Sequence, residues 1–165
     1  MMPKVKTMSI IEEKWLDRIV EMARATMQTG KVFGRLCKNH GWHEREKCPE
    51  CDKKHQPILQ RAQLSNLKNF ADATDSVRAL ELFIRYQMGR KEKTGWEYRH
   101  GSGESFGDLV IRDFDTLGKW AEEIDPEDRK ATHLWLIRLY TGFLSRWHVA
   151  MAGGEGEEAE DLKEG

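Results

Sequence analysis

The sequence predicts an all-α fold, a helical bundle of about five helices with a small zinc-knuckle insertion. Apolar residues recur at intervals of three and four in five segments, whereas the strict alternation of a half-buried strand is scarce. All three cysteines lie between residues 37 and 51, in a gap between two of these segments. With 165 residues, the chain fits one domain. We expect the bundle over residues 1–152, the insertion at about 31–56, and a disordered acidic tail over 153–165.

The first helix is predicted to begin at Ser9, because Ser9 and Glu12 have the spacing of a capping box. Trp15 and Ile19 then fall on one apolar face of this segment. Gly30 should end the helix, since glycine is common at helix C-termini.

Two further helices should follow the cysteine-containing gap. The second is predicted from about Pro57 to Thr74, and Asp75 should cap the third. Gly89 should end that third helix. The inward residues of this pair of helices are predicted to be Leu59, Leu64, Leu67, Phe70, Ala71, Val77, Leu80, Ile84 and Met88.

A glycine-rich stretch over residues 89–107 indicates a loop before the last two helices. The fourth helix has apolar residues at spacings of 4, 3, 4 and 3 from Val110 to Ile124. Asp125 and Pro126 should close it and open the fifth helix. That fifth segment, to about Met151, is apolar nearly all round, which is typical of the middle of a bundle. Its predicted central residues are Leu134, Leu136, Ile137, Tyr140 and Leu144.

The charge distribution separates the tail from the rest of the chain. Residues 155–165 contain six acidic side chains and one lysine, which leaves 26 basic and 22 acidic residues, a net charge of +4, in residues 1–154. A modestly positive body is typical of a protein that contacts polyanions. The sequence has no signal-peptide core and no apolar run of the roughly 20 residues that cross a bilayer. Since the cysteines are too few for a secreted disulfide framework, we expect a cytoplasmic protein without a membrane partner.

Two closely spaced pairs of metal-binding residue types lie inside the insertion. Cys37 and His40 form a C-x2-H pair, and Cys48 and Cys51 form a C-x2-C pair. Each such turn directs two side chains to one point, as a tetrahedral ion requires. We therefore predict that these four residues bind a structural zinc ion in a reducing compartment.

Other histidines compete for the fourth ligand position. His43 is the nearer competitor and His55 the more distant one. Gly41 and Asp52 directly follow His40 and Cys51, and both residue types tolerate the left-handed conformation that such turns use. The alternative to a metal site is three unrelated thiols with histidines nearby by chance.

Cationic and aromatic side chains alternate around the third helix and the loop after it. Residues 78–99 contain six basic and three acidic residues. Guanidinium groups match phosphates, and exposed aromatic rings stack on unpaired bases. The predicted RNA-binding residues are Arg61, Lys68, Arg85, Arg90, Lys91 and Arg99. The alternative is a solvated helix face with aromatic residues in the core.

Two segments of the chain resemble the small α-helical subunit of type III CRISPR effector complexes. They are Gln63 to Phe70 (QLSNLKNF) and Phe83 to Arg90 (FIRYQMGR), followed by Gly95-Trp96, and the resemblance covers roughly residues 58–150. It implies a helical bundle whose copies stack along a ribonucleoprotein and contact the guide–target duplex through basic side chains. The implied partners are guide RNA, target RNA, other effector subunits and copies of the chain itself. The Cys/His insertion departs from the simplest members.

The sequence favours a non-catalytic subunit over an enzyme. A metal-dependent nuclease needs converging carboxylates, but Asp113 and Asp115 would diverge on a helix and should lie on a solvated face. His100 lacks a second histidine for acid–base chemistry. His133 and His148, on the apolar last helix, are interpreted as hydrogen-bonded core residues. The alternative function is a zinc-containing helical adaptor that binds protein and no nucleic acid.

Overall fold

The computed structural model describes residues 12–153, in which five α-helices form a bundle. The tail beyond residue 153 lies outside this range. A short antiparallel hairpin lies between the first two helices, and a 3-10 turn, Pro126–Asp128, precedes the last. The elements are α1 (Glu13–Gly30), β1 (Arg35–Cys37), β2 (Gly41–His43), α2 (Arg61–Ala73), α3 (Val77–Gly89), α4 (Phe106–Ile124) and α5 (Arg129–Met151). The predicted all-α bundle with a small insertion is confirmed.

Helix α5 forms the centre of the bundle and packs against α1, α2 and α4. This position follows from its sequence, since a helix that is apolar on nearly every side is stabilised when neighbours cover all of them. Helix α3 lies at the periphery, against α2 and α4, and keeps one face in solvent. The predicted central residues of α5 are all buried, namely Leu134, Leu136, Ile137, Tyr140 and Leu144.

Helix α2 begins four residues later than expected, at Arg61 instead of about Pro57. The backbone amides of Ile58 and Leu59 donate hydrogen bonds to the carbonyl oxygens of Gly34 and Val32, at 2.8 and 3.1 Å. These bonds attach the end of the insertion to its beginning. They also hold the chain in an extended conformation before the helix.

Two other helix starts differ from expectation. The side chain of Ser76, and not that of Asp75, caps α3, because its Oγ accepts a hydrogen bond from the Ala79 amide at 3.1 Å. Helix α5 begins at Arg129 because the residues after Asp125 form the 3-10 turn. Ser9, expected to begin the first helix, lies outside the described residues. The helix ends expected at Gly30 and Gly89 are confirmed.

A carboxylate is buried among α1, α4 and α5. Asp113 is 5% exposed, and its Oδ2 accepts hydrogen bonds from the hydroxyl groups of Thr26 and, at 2.6 Å, Tyr140. The expectation that Asp113 lies on a solvated face is wrong, because it is three residues after Val110 and four before Leu117 on the inward stripe. Burial raises the pKa of this carboxyl, and the two hydroxyl donors lower it again in part.

The two histidines of α5 are core residues with hydrogen-bond partners, as expected. Both are buried, and each Nε2 lies 2.7 Å from a backbone carbonyl oxygen, that of Phe114 for His133 and that of Leu59 for His148. Because a carbonyl only accepts, each ring must carry its proton on Nε2.

Among the helices of residues 12–153, none is long and apolar enough to cross a membrane.

Candidate metal centre

The hairpin places the first pair of candidate ligands on either side of its turn. Cys37 is the last residue of β1 and pairs with Gly41, the first of β2, so Cys37 and His40 enclose a tight connection. Gly41 has a φ of 79°, which is the left-handed conformation expected for it. The turn therefore presents the side chains of Cys37 and His40 toward one point.

A second turn supplies the other two candidate ligands. A single bridge between Lys47 and Lys54 closes the segment. Inside it, the Cys48 amide donates to the Lys53 carbonyl at 2.9 Å, and the Asp52 amide donates to the Cys48 carbonyl at 2.8 Å. Asp52 adopts the expected left-handed conformation, with a φ of 61°. The resulting loop folds the sulfur of Cys51 back toward that of Cys48.

The four predicted ligand atoms converge. Those of Cys37, His40, Cys48 and Cys51 all lie within 4.8 Å of one another. The Sγ of Cys37 is 3.3 Å from His40 Nδ1 and 3.7 Å from Cys51 Sγ, and Cys48 Sγ is 3.6 Å from the same nitrogen. Tetrahedral bonds of about 2.0–2.3 Å would place neighbouring ligand atoms roughly 3.5–3.8 Å apart. The cluster is therefore compatible with one metal ion.

Backbone amides point at two of the sulfurs. The amides of Asn39 and Lys53, each two residues after a cysteine, donate to Cys37 and Cys51. The Asn39 amide lowers the pKa of the Cys37 thiol. The Lys53 amide acts in the same direction on Cys51, but burial and the neighbouring thiols leave the pKa of Cys51 raised. Such amides stabilise the thiolate form, in which cysteine binds metals.

His40, and not His43, completes the cluster. The ring of His43 is buried, with Nδ1 2.6 Å from the Arg45 carbonyl oxygen and Nε2 3.1 Å from Nδ1 of His55. These two histidines therefore form a hydrogen bond with each other, and neither belongs to the cluster of sulfurs. The remaining nitrogen of His40, Nε2, is 3.4 Å from a carboxylate oxygen of Glu50. A carboxylate at the far nitrogen is a common partner of a metal-bound histidine, since it fixes the orientation of the ring.

Arg35 attaches the insertion to the bundle. Its guanidinium is buried and donates to the carbonyl oxygens of Glu44 at 2.8 Å, Ala152 at 3.2 Å and His55 at 3.3 Å. These bonds join β1, both sides of the Cys/His loop and the end of α5. Sequence reasoning missed this residue, although Arg35 is two positions before Cys37 and so shares its face of the strand.

Trp42 links the hairpin to the glycine-rich loop. Its indole nitrogen donates to the Lys31 carbonyl at 3.0 Å, and its ring packs on Gly34 so closely that a β-carbon there would lie 2.3 Å from it. The edge of the ring meets His100 at a centroid distance of 5.4 Å. His100 accepts or donates a hydrogen bond of 2.9 Å with the Tyr98 hydroxyl. The hairpin that carries Cys37 and the loop that carries several basic residues are therefore in contact through the rings of Trp42 and His100.

Four of the six predicted RNA-binding residues lie at one end of the molecule. Arg85 is exposed and 3.5 Å from Asp108 in the first turn of α4. Arg99 is also exposed, and its backbone pairs with Ser105, the residue that caps α4. Arg90 and Lys91 follow the end of α3 directly. We call these four residues the basic end.

The other two predicted RNA-binding residues lie on α2, beside α5. The ammonium of Lys68 donates to Asp72 at 2.7 Å and to the Arg138 carbonyl at 3.0 Å, so it joins the two helices. Arg61 is half-buried and lies close enough to His148 to contribute to the lowering of its pKa, after the larger effect of burial. The structure therefore divides the predicted set into the basic end and a pair that faces the central helix.

No protein-family model, curated protein or solved structure matches the chain.

Proposed function

We propose that the chain is a non-catalytic, zinc-containing subunit of an RNA-guided type III CRISPR ribonucleoprotein. In this proposal the basic end contacts the backbone of the guide and target RNA, and the zinc ion stabilises the insertion that supports it. Other effector subunits and further copies of the chain are the proposed protein partners. The reduced thiols suit the cytoplasm, where this assembly would work.

Zinc is the ion that suits the donor set. Three sulfurs and one imidazole nitrogen are soft or borderline ligands, which favour Zn²⁺ over Mg²⁺ or Ca²⁺. Four protein ligands fill a tetrahedral shell and leave no position for a reacting water, so the ion would be structural. Its contribution would be to hold together two loops that have little apolar core of their own.

Metal analysis of the purified full-length protein tests the ion. We expect about one equivalent of zinc per chain, and a lower melting temperature after chelation. Cys51→Ser should lose the metal, whereas His55→Gln is the matched control because His55 lies outside the four-residue cluster. Less than about half an equivalent, together with an unchanged melting profile in chelator, would refute the zinc site.

The cations of the basic end carry the proposal of RNA contact. Within residues 12–153, the exposed Arg85 pairs with Asp108, and the half-buried Arg90 pairs with the exposed Glu92. Such pairs contribute about 0–1 kcal/mol, and phosphates of an RNA backbone can replace the carboxylates. The resemblance of the segment from Phe83 to Arg90 to the CRISPR small subunits supports the same surface.

The test uses the assembled complex with the double substitution Arg85→Ala/Arg90→Ala. We expect target-RNA affinity to fall about tenfold for all sequences alike, since two contacts of roughly 0.7 kcal/mol each amount to one decade. The salt dependence of binding should become less steep. The control is Lys119→Ala/Lys130→Ala, which removes two exposed cations near the opposite end of α4.

An unchanged affinity and unchanged assembly in the Arg85/Arg90 variant would refute the RNA-contacting role. In that case the basic end is a solvated face. If the chain also binds no RNA at low salt, the protein-binding adaptor becomes the better account of the molecule.

A further inference from the structure

One aromatic side chain among the described residues is largely exposed to solvent. Tyr86, on the outer face of α3, is 65% exposed, and within residues 12–153 its ring makes no contact with another aromatic ring. The opposite face of the same helix buries Leu80 and Ile84 in the core. Folding of the bundle therefore does not require the Tyr86 ring, which leaves it available to a ligand.

A shallow depression of about 410 Å³ lies beside this ring. It is lined by Tyr86, Gly89, Arg90, Lys91 and Glu92. A β-carbon at Gly89 would have nothing within 4 Å, so a planar group can approach the helix backbone there. A depression of this size leaves room for a planar ring beside Tyr86 and a charged group beside Arg90 and Lys91.

The guanidinium of Arg90 is held at the rim of this depression. Its Nη1 donates to Gln87 Oε1 at 3.2 Å, and its Nη2 donates to Glu92 Oε2 at 2.7 Å. Lys91 adds a second, exposed cation beside it. An apolar protein segment in this place would bury the charges of Arg90, Lys91 and Glu92 at a cost in free energy, whereas a nucleotide offers a flat ring to Tyr86 and a phosphate to the two cations in place of the Glu92 carboxylate.

We infer that Tyr86 is a stacking platform for one unpaired base of single-stranded RNA, with the adjoining phosphates bound by Arg90 and Lys91. The inference rests on the proposed function and specifies the chemical form of RNA that this surface binds. A base inside a duplex has both faces covered by its neighbours, so only an unpaired base can stack on the ring. Every base has such a face, and the site should therefore have little sequence preference.

The experiment compares the full-length chain with three variants at low salt. The probe is a single-stranded RNA of twelve nucleotides with one 2-aminopurine, used alone and as a duplex with its complement. Tyr86→Ala should weaken binding of the single strand about tenfold and abolish quenching of the fluorescent base. Tyr86→Phe should stay within twofold of the natural chain, since the ring remains. Tyr86→Leu should behave as the alanine variant does, because it keeps apolar area but no aromatic face.

Several outcomes would overturn the stacking inference. These are an unchanged affinity in Tyr86→Ala, an equal loss for single strand and duplex, retention of binding by Tyr86→Leu, or no RNA binding by the natural chain. Since Tyr86 is exposed, the melting temperature should not change, which separates stacking from misfolding. If Arg85→Ala/Arg90→Ala weakens the assembled complex while Tyr86→Ala has no effect, the proposed function stands and the stacking platform alone is refuted.

Discussion

Replacement of Tyr140 by phenylalanine isolates one buried hydrogen bond. The hydroxyl of Tyr140 lies 2.6 Å from Oδ2 of Asp113, and the two residues are 0% and 5% exposed. The substitution keeps the ring, so it opens no cavity of consequence, and it leaves the Thr26 hydroxyl as a donor to the carboxylate. A buried hydrogen bond to a charged group contributes roughly 1.5–3 kcal/mol. We expect Tyr140→Phe to lower the free energy of unfolding by about 2 kcal/mol.

Urea unfolding followed by circular dichroism measures this loss. A domain of this size should remain folded and melt about 4–8 °C lower. Tyr98→Phe is the matched control, because its hydroxyl bonds to His100 in a half-buried position and should contribute less than about 1 kcal/mol. A loss below about 0.5 kcal/mol in Tyr140→Phe would show that this hydroxyl does not stabilise the carboxylate.

The same variant has an expected pH dependence. Burial raises the pKa of Asp113 above its unfolded value, so the stability linked to this proton is present at low pH and is lost as pH rises through the folded pKa. The Tyr140 hydroxyl opposes that shift by favouring the ionised form. The deficit of Tyr140→Phe should therefore be largest above the folded pKa and should shrink as pH falls below it. A deficit that grows on acidification would contradict this account.

Three other changes test the core, the insertion and the acid limit of the fold. Leu136→Ala, at a fully buried site, should lower unfolding free energy by about 2–5 kcal/mol in urea titration, and a loss under about 0.5 kcal/mol would refute its central position. Gly34→Ala should lower stability by about 1–3 kcal/mol because the new methyl group overlaps the Trp42 ring, whereas Gly89→Ala has free space and should not. Burial lowers the pKa of His148 from 6.5 to about 4. Acidification across that interval should therefore lower the free energy of unfolding by about 3 kcal/mol, because the unfolded chain binds a proton that the folded chain does not. His148→Gln should lack this part of the pH slope in unfolding experiments at pH 4.5 and 7, and an unchanged slope would contradict the assignment.

The helices were predictable because each buries a stripe that recurs with the helical period. The all-round apolar composition of α5 was sufficient to predict its central position. The start of α2 was not predictable, since it depends on hydrogen bonds from Ile58 and Leu59 to residues about 25 positions earlier in the chain. Asp113 shows a different limit. The spacing of Asp113 matches the inward stripe of α4, but its charge predicts a position in solvent. Its burial is explained by the hydroxyl donors on α1 and α5, which lie far from it in the sequence.

The four ligands of the candidate metal centre were predictable from their spacing, but the choice between two histidines was not. In the hairpin, His43 pairs with Arg35 and lies two residues farther from the turn than Gly41. That displacement is about 6.6 Å along a strand, which takes the ring away from the sulfurs and toward His55. The register of the hairpin therefore decides which histidine joins the three cysteines. RNA contact by the basic residues stays a prediction.

The guanidinium of Arg35 has a consequence for how the molecule opens. It holds carbonyl groups from two places in the insertion and from Ala152, just beyond α5. The last turn of α5 and the Cys/His loops therefore belong to one cooperative opening unit, and neither can detach without leaving a buried cation short of acceptors. Amide protons in that final helical turn should exchange with solvent only as often as the insertion opens. A metal ion bound at the candidate centre would then slow the fraying of this helix end, although none of the four predicted ligands lies on α5.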